Sequence, residues 1–275
     1  MEKFIVTVFG GSGFIGRHLV RRLVQKGATV RVAVRDPEDA RYLTTMGNVG
    51  QIVPFAANIN DRLTLIPAVD GASTVVNLVG VLSEWGQQNF ENIHTRGAVN
   101  VAKVAAISGV DNLVHISAIG ANASSPSRYA QTKIAGEKAV KTAFPNAIII
   151  RPSVIFGPED GFFNLFAGLA RFTFCLPVFR CPALPRIKLF KDGRLFKFDF
   201  YGHGGTKFQP VYVGDVADAI CSAIDDEKSN GQVYEIGGPE IYSSVDIMKL
   251  ILKYMGRKRI LIPIPFWHLK IIGWL

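Results

Sequence analysis

The chain is poor in cysteine, with 3 among its 275 residues. Cys175, Cys181 and Cys221 show no metal-ligand spacing. Their odd number and scatter suggest a reducing compartment with free or buried thiols, and no metal site is expected. Long apolar runs are also missing. No uninterrupted stretch reaches the roughly 20 residues of a bilayer-spanning helix, so no transmembrane span is expected. Met1-Glu2-Lys3 leads straight into an apolar run, and neither a secretory signal nor a transit peptide is expected. There is no internal repeat of the solenoid kind. Acidic residues are outnumbered by basic ones, 22 against 31, which leaves a net charge of +9. Such an excess suits nucleic acid, anionic lipid or a phosphorylated ligand. Helix-turn-helix, zinc-finger and RNA-binding signatures are absent, so no nucleic-acid partner is expected. Part of the excess is local: Arg180, Arg186, Lys188, Lys191, Arg194 and Lys197 fall in one short segment.

What is present is a folded α/β composition, 48% hydrophobic and 19% charged, long enough for one large domain or a domain with a small cap. The chain is organised around Phe4-Ile-Val-Thr-Val-Phe-Gly10-Gly11-Ser12-Gly13-Phe14-Ile15-Gly16. A β-branched run stops at a glycine cluster, and an amphipathic helical pattern starts at once (Phe14, Ile15, Leu19, Val20, Leu23, Val24). A strand, a glycine turn and a helix in that order make a dinucleotide-binding turn. Glycines let a pyrophosphate approach the backbone, and the free N–H groups at the positive helix end face it. Two registers fit, Gly11-x-Gly13-x-x-Gly16 and Gly10-x-x-Gly13-x-x-Gly16. Gly10, Ser12, Gly13, Phe14, Ile15 and Gly16 are the candidate cofactor-binding positions here.

Thr29-Val-Arg-Val-Ala-Val-Arg35 reads as the second strand. An Asp or Glu at its end would favour NAD(H) through the ribose hydroxyls; Arg35 there favours NADP(H), because a guanidinium pairs with a 2′-phosphate. The competing reading leaves Arg35 solvated and gives the ribose to Asp36, which keeps NAD(H) open. Asn58 follows a short third strand, where an adenine-contacting polar group is expected. The fourth strand ends in Asn77-Leu78-Val79-Gly80, small or apolar residues along which a cofactor can lie. Phe90 to Ser108 carries a helical pattern, and the fifth strand ends near Ser117. Tyr129-x-x-x-Lys133 then falls on a helix, both residues on one face. The ammonium is expected to lower the phenol pKa and hold the nicotinamide ribose. Ser117, Tyr129 and Lys133 together suit general acid/base work on an alcohol or carbonyl. Ser243 with Asp246 can cap the helix ending near Gly256. Residues from about 177 to 207 show no clear period, and Arg259 to Leu275 is apolar with breaks at Pro263 and Pro265.

These residues resemble the extended and atypical short-chain dehydrogenase/reductase superfamily over essentially the whole chain. Within it they are similar to the nucleotide-binding, dehydrogenase-like accessory subunits of respiratory complex I (NADH:ubiquinone oxidoreductase) and their bacterial relatives. The stretches that carry this are Val8 to Arg17, Met46 to Gln51, Val76 to Gly80, Tyr129 to Glu137, Phe144 to Ile150, Ile155 to Asp160 and Gln209 to Val216. The resemblance implies a Rossmann-type doubly wound parallel sheet with a smaller C-terminal lobe over the strands' carboxyl ends. It places a nucleotide domain at 1–157 and the smaller, interleaved lobe at 158–275. It also implies a tightly held NADPH serving structure more than turnover, complex I subunits at a membrane surface as partners, and a place in the bacterial cytoplasm or on the mitochondrial matrix side. The segment from about 180 to 201 is longer than the family's loop. It reads as an insertion and is expected to be mobile or poorly packed. Leu275 falls inside the apolar start of the family's C-terminal region. Ile262 to Leu275, with Trp267, Lys270 and Trp274, suits either a membrane-interfacial segment or a last helix packed on the lobe.

The competing function is a free-standing NADP-dependent reductase, dehydrogenase or epimerase acting on a carbonyl or a nucleotide sugar. Tyr129 would be its acid/base, Ser117 would polarise the carbonyl and Lys133 would tune Tyr129. The Ser117, Tyr129 and Lys133 set fits both readings.

Overall fold

A computed structural model describes residues 4–181, 186–191, 194–199, 201 and 204–265. The elements, in order, are β1 (Ile5–Phe9), α1 (Phe14–Gln25), β2 (Thr29–Val34), β3 (Ile52–Ala56), α2 (Arg62–Val69), β4 (Thr74–Asn77), α3 (Ala98–Ile107), β5 (Asn112–Ile116), α4 (Arg128–Ala143), β6 (Ile148–Pro152), β7 (Ile155–Phe156) and α5 (Phe162–Phe172). They continue with β8 (Cys175–Cys181), β9 (Arg186–Lys191), β10 (Arg194–Asp199), β11 (Lys207–Phe208), β12 (Val211–Tyr212), α6 (Val213–Asp225), β13 (Val233–Ile236), β14 (Tyr242–Ser243), α7 (Ser244–Tyr254) and β15 (Ile260–Pro265). The chain divides into two compact units, residues 1–153 with 212–236, and residues 154–211 with 237–275.

The first unit is a seven-stranded sheet in the order β13-β6-β5-β4-β1-β2-β3. Every neighbouring pair in it is parallel. Parallel strands buried on both faces need apolar residues along their length, so the inner strands β1, β4 and β6 read as Val- and Ile-rich runs, while the edge strands β3 and β13 are partly exposed. Phe9, Val75, Leu113 and Ile149 share a buried cluster with Leu65, Val101, Ala102, Val104 and Val140 of α2, α3 and α4. The alternate strand positions Val6, Val8, Val30 and Val32 are fully buried without joining that cluster. On α1 the apolar stripe Leu19, Val20, Leu23 and Val24 is buried, and α1 packs along α6. Arg22 pairs with Asp218, and Lys26 with Asp225, at the rim of that contact.

The Phe90–Ser108 pattern does not form one α-helix. Glu91–Gly97 is a π-helical segment, and regular α-helix starts only at Ala98. An i→i+5 turn of this kind inserts a residue without changing the side-chain types, so the apolar periodicity does not show it.

The second unit has its own core, in which Phe166, Ala170, Leu176, Val178, Ile247, Met248 and Ile251 are buried together. The Ser243–Asp246 capping box opens α7, and Gly256, at φ 61°, ends it. The described parts of 177–207, where the sequence shows no clear period, include paired strands: β8 pairs with β15 in parallel, and β9 pairs with β10 antiparallel in a two-stranded sheet of its own. The apolar C-terminal stretch begins as a strand, β15, rather than a helix. Pro263 and Pro265 are tolerated because, among the described residues, β15 is paired on one side, with β8. Trp267, Lys270 and Trp274 lie outside the described residues.

Candidate functional site

β1 and β4 are neighbours at the point where the strand order reverses, and the glycine turn leaves the carboxyl end of β1 there. Gly10 has φ 75°, and its N–H donates to the Ala33 carbonyl at 3.1 Å. The Gly13 N–H donates back to the Gly10 carbonyl at 3.0 Å. A methyl group on Gly16 would lie 2.4 and 2.5 Å from the carbonyl oxygens of Gly10 and Gly11, and one on Gly11 would lie 2.9 Å from Val32 Cγ1. Both glycine registers therefore hold at once: Gly16 lets the turn's backbone close on the helix, and Gly11 lets it close on the Val32 side chain. Gly13 caps α1 without a side-chain bond, and the first turn carries no acidic residue. The leading N–H groups at Phe14 and Ile15 thus remain for an acceptor from outside.

Sequence reasoning missed the support of this turn. The Tyr42 hydroxyl donates to the Ser12 carbonyl at 2.8 Å, and the Arg17 guanidinium lies 5.3 Å from the Tyr42 ring centroid. Tyr42 sits in a 3₁₀ segment, Pro37–Met46, with no motif to mark it.

The turn after β4 abuts the glycine turn. The Leu78 N–H donates to the Phe9 carbonyl at 3.0 Å, and a methyl group on Gly10 would lie 3.3 Å from Val79 Cγ2. Arg35 is exposed just past β2. Asp36 is engaged elsewhere: its carboxylate accepts the Glu38 N–H at 3.0 Å and caps the 3₁₀ segment. Asn58 is exposed beyond the end of β3, and its Oδ1 accepts the Asn60 N–H at 3.1 Å. Arg35 and Asn58 make no hydrogen bond to the glycine turn among the described residues.

Lys133 is 5% exposed, and its Nζ donates to the Ile116 carbonyl at 3.3 Å. A methyl group on Gly80 would lie 3.2 Å from that Nζ, so Gly80 and Lys133 face one another. Burial lowers the Lys133 pKa to about 8, with Glu137 acting in the opposite sense. Glu137 is 4% exposed and is held by Arg151 at 2.9 and 2.7 Å. Ser117 follows Ile116 directly, and its Oγ is buried with no partner among the described residues.

Lys133 Nζ lies 5.9 Å from the Tyr129 ring centroid, one helical turn away. The expected lowering of the phenol pKa is not what this arrangement gives. Burial raises it above the ordinary value, so Tyr129 keeps its proton. The Tyr129 ring packs perpendicular to that of His94, with ring centroids 5.2 Å apart and planes at 90°. His94 is 2% exposed, and burial, then Lys133, push its pKa down to about 4. Behind it the buried Asn77–His115 pair, at 3.3 Å, links β4 to β5. Nothing in the local pattern separates His94 from a solvated helix residue; it is buried within the π-helical segment Glu91–Gly97. Among the described residues no group of His, Cys, Asp or Glu could hold a metal ion. Burial pushes the Cys221 thiol up to about 11, far from a nucleophile's range.

The model of the NAD dependent epimerase/dehydratase family matches residues 6–237. NADH dehydrogenase (ubiquinone) 1 alpha subcomplex subunit 9, mitochondrial, of Arabidopsis thaliana is 34% identical over 97% of this chain and 61% of its own length. The protein of the same name from Mus musculus is 34% identical over 98% of this chain and 66% of its own length. The chain thus spans somewhat less than two thirds of these relatives. Among solved structures, the UDP-glucose 4-epimerase of Thermus thermophilus, a complex with NAD, superimposes with a TM-score of 0.68. It is 21% identical, and the match covers 95% of this chain and 86% of that one, which is a likeness of fold. With the family model covering most of the sequence, and with the glycine turn and sheet order in place, the chain belongs to the NAD dependent epimerase/dehydratase family.

Proposed function

We propose that the chain holds a nicotinamide dinucleotide at this site, NADPH in preference to NADH, as an accessory-subunit-type component of complex I. The observation that carries the reading is the buried Lys133 ammonium. It has three donors and one carbonyl acceptor among the described residues, and it faces Gly80. Such a group needs a ligand rich in hydroxyl acceptors. The unsatisfied Ser117 Oγ and the uncapped start of α1 fit the same ligand. In this reading the N–H groups from Ser12 to Gly16 take the pyrophosphate, Leu78 to Gly80 line the dinucleotide, and Lys133 holds the nicotinamide ribose. Asn58 faces the adenine side. Arg35 takes the 2′-phosphate, a reading favoured because Asp36 is already engaged as a cap.

A bound dinucleotide supplies hydride transfer where it turns over. Tyr129 would be the proton donor to a carbonyl and Ser117 its orienting hydroxyl. The buried, protonated phenol suits a stationary cofactor equally well. The complex I role is supported by the names of the relatives that match nearly all of this chain. The net charge of +9 suits a place at an anionic membrane surface, while no described helix is long and apolar enough to cross one. Blue-native electrophoresis of membranes from cells carrying a tagged copy tests the role. The tag is expected to migrate with NADH:ubiquinone oxidoreductase activity; migration as a free protein beside intact complex I would contradict it.

A further inference from the structure

His94 stands where three parts of the first unit meet. The Val81 N–H donates to its Nε2 at 3.2 Å, so that nitrogen must present a lone pair. The ring proton is then on Nδ1, 3.1 Å from Thr132 Oγ1. The Thr132 hydroxyl can accept that proton because its own goes to the Arg128 carbonyl at 2.9 Å or the Tyr129 carbonyl at 3.1 Å. Every role in the chain is consistent with one neutral tautomer. The ring stacks on Phe90, with centroids 5.3 Å apart and planes 17° apart, and stands perpendicular to Tyr129. The backbone of the same residue is docked as closely: a methyl group on Gly136 would lie 2.0 Å from the His94 carbonyl oxygen. A methyl group on Gly80 would lie 3.8 Å from His94 Nε2.

We infer that His94 is a positioning residue. In its Nδ1–H tautomer it ties the turn Leu78–Val81 after β4 to the helix that carries Tyr129 and Lys133, and so holds the two walls of the dinucleotide site together. The inference rests on the dinucleotide reading of that site. Packing alone does not need this tautomer, since phenylalanine could stack on Phe90 and meet Tyr129 as well as histidine does. An Nε2–H ring, or an imidazolium, would instead set a donor against the Val81 N–H.

The test combines nitrogen NMR of the histidine rings, amide exchange at Val81 and NADPH titration of the wild type, His94→Phe and His94→Gln. Expected are an Nδ1–H tautomer for His94 near neutral pH and a protected Val81 amide in the ligand-free protein. In His94→Phe, Val81 should exchange faster and NADPH affinity should fall about tenfold, the worth of one hydrogen bond. His94→Gln, whose amide oxygen can accept the Val81 N–H, should recover part of both. An Nε2–H tautomer, or a His94→Phe protein with unchanged Val81 exchange and NADPH affinity, would overturn the inference. The tautomer measurement needs no variant to fold. A wild type that binds no dinucleotide would sink the dinucleotide reading, while the tautomer and Val81 exchange would still decide whether the tie exists.

Discussion

The Lys133 ammonium is 5% exposed, and its pKa is depressed to about 8 from 10.5. Below pH 8 both folded and unfolded chains carry the charge, and the ligand-free fold bears its whole desolvation penalty. Between pH 8 and about 10.5 the unfolded chain binds the proton more tightly, so stability rises with pH. The full difference is on the order of 3 kcal/mol. Lys133→Met keeps the stem and removes the charge. It should make the ligand-free protein about 1–3 kcal/mol more stable at pH 7 in urea denaturation, and should flatten the rise above pH 8. The same variant should bind NADPH far more weakly. Lower stability of Lys133→Met at pH 7 would show that the ammonium is satisfied by the fold itself. Arg35 is the opposite case, an exposed side chain whose loss should hardly move stability. Arg35→Ala should weaken NADPH binding by about 1.5–3 kcal/mol, the worth of a charge-assisted hydrogen bond, and spare NADH. Equal losses for both nucleotides by calorimetry would remove Arg35 from the 2′-phosphate.

Among elements, those whose logic is local were legible in the sequence. The glycine turn showed itself because strand, glycines and helix follow within a few residues, and the structure gives each glycine a separate steric reason. Tyr129 and Lys133 showed themselves because their spacing is one helical turn. The π-helical segment at Glu91–Gly97 did not, since what it packs against, with the His94 carbonyl close on Gly136, lies far along the chain. The β9–β10 ribbon was hidden because Leu189-Phe190 and Leu195-Phe196 put apolar residues side by side and blur the alternation of a strand. This ribbon pairs with no other strand among the described residues. Replacing residues 182–200 by a short glycine linker, with β8 and Tyr201 kept, should therefore shift Tm by no more than a few degrees. Tyr201 must stay because its hydroxyl donates to the Leu261 carbonyl at 2.7 Å. A collapse of Tm on that replacement would make the ribbon part of the core.

For the whole molecule, the centre of the parallel sheet was legible because β1, β4 and β6 are apolar runs bounded by their own turn signals. The second unit was not, because β8 finds its partner β15 much later in the chain and only folding brings them together. In the proposed function the dinucleotide is held as a component of the structure rather than consumed. The most direct measurement is the nucleotide released on denaturing the purified protein, quantified per chain, beside its NADPH oxidation with quinone and carbonyl acceptors. NADPH near one per chain, no appreciable turnover, and retention of that NADPH in Tyr129→Phe are the predicted results. Sustained NADPH oxidation by the isolated protein, falling roughly 10²–10⁴-fold in Tyr129→Phe as for a lost general acid, would contradict the claim.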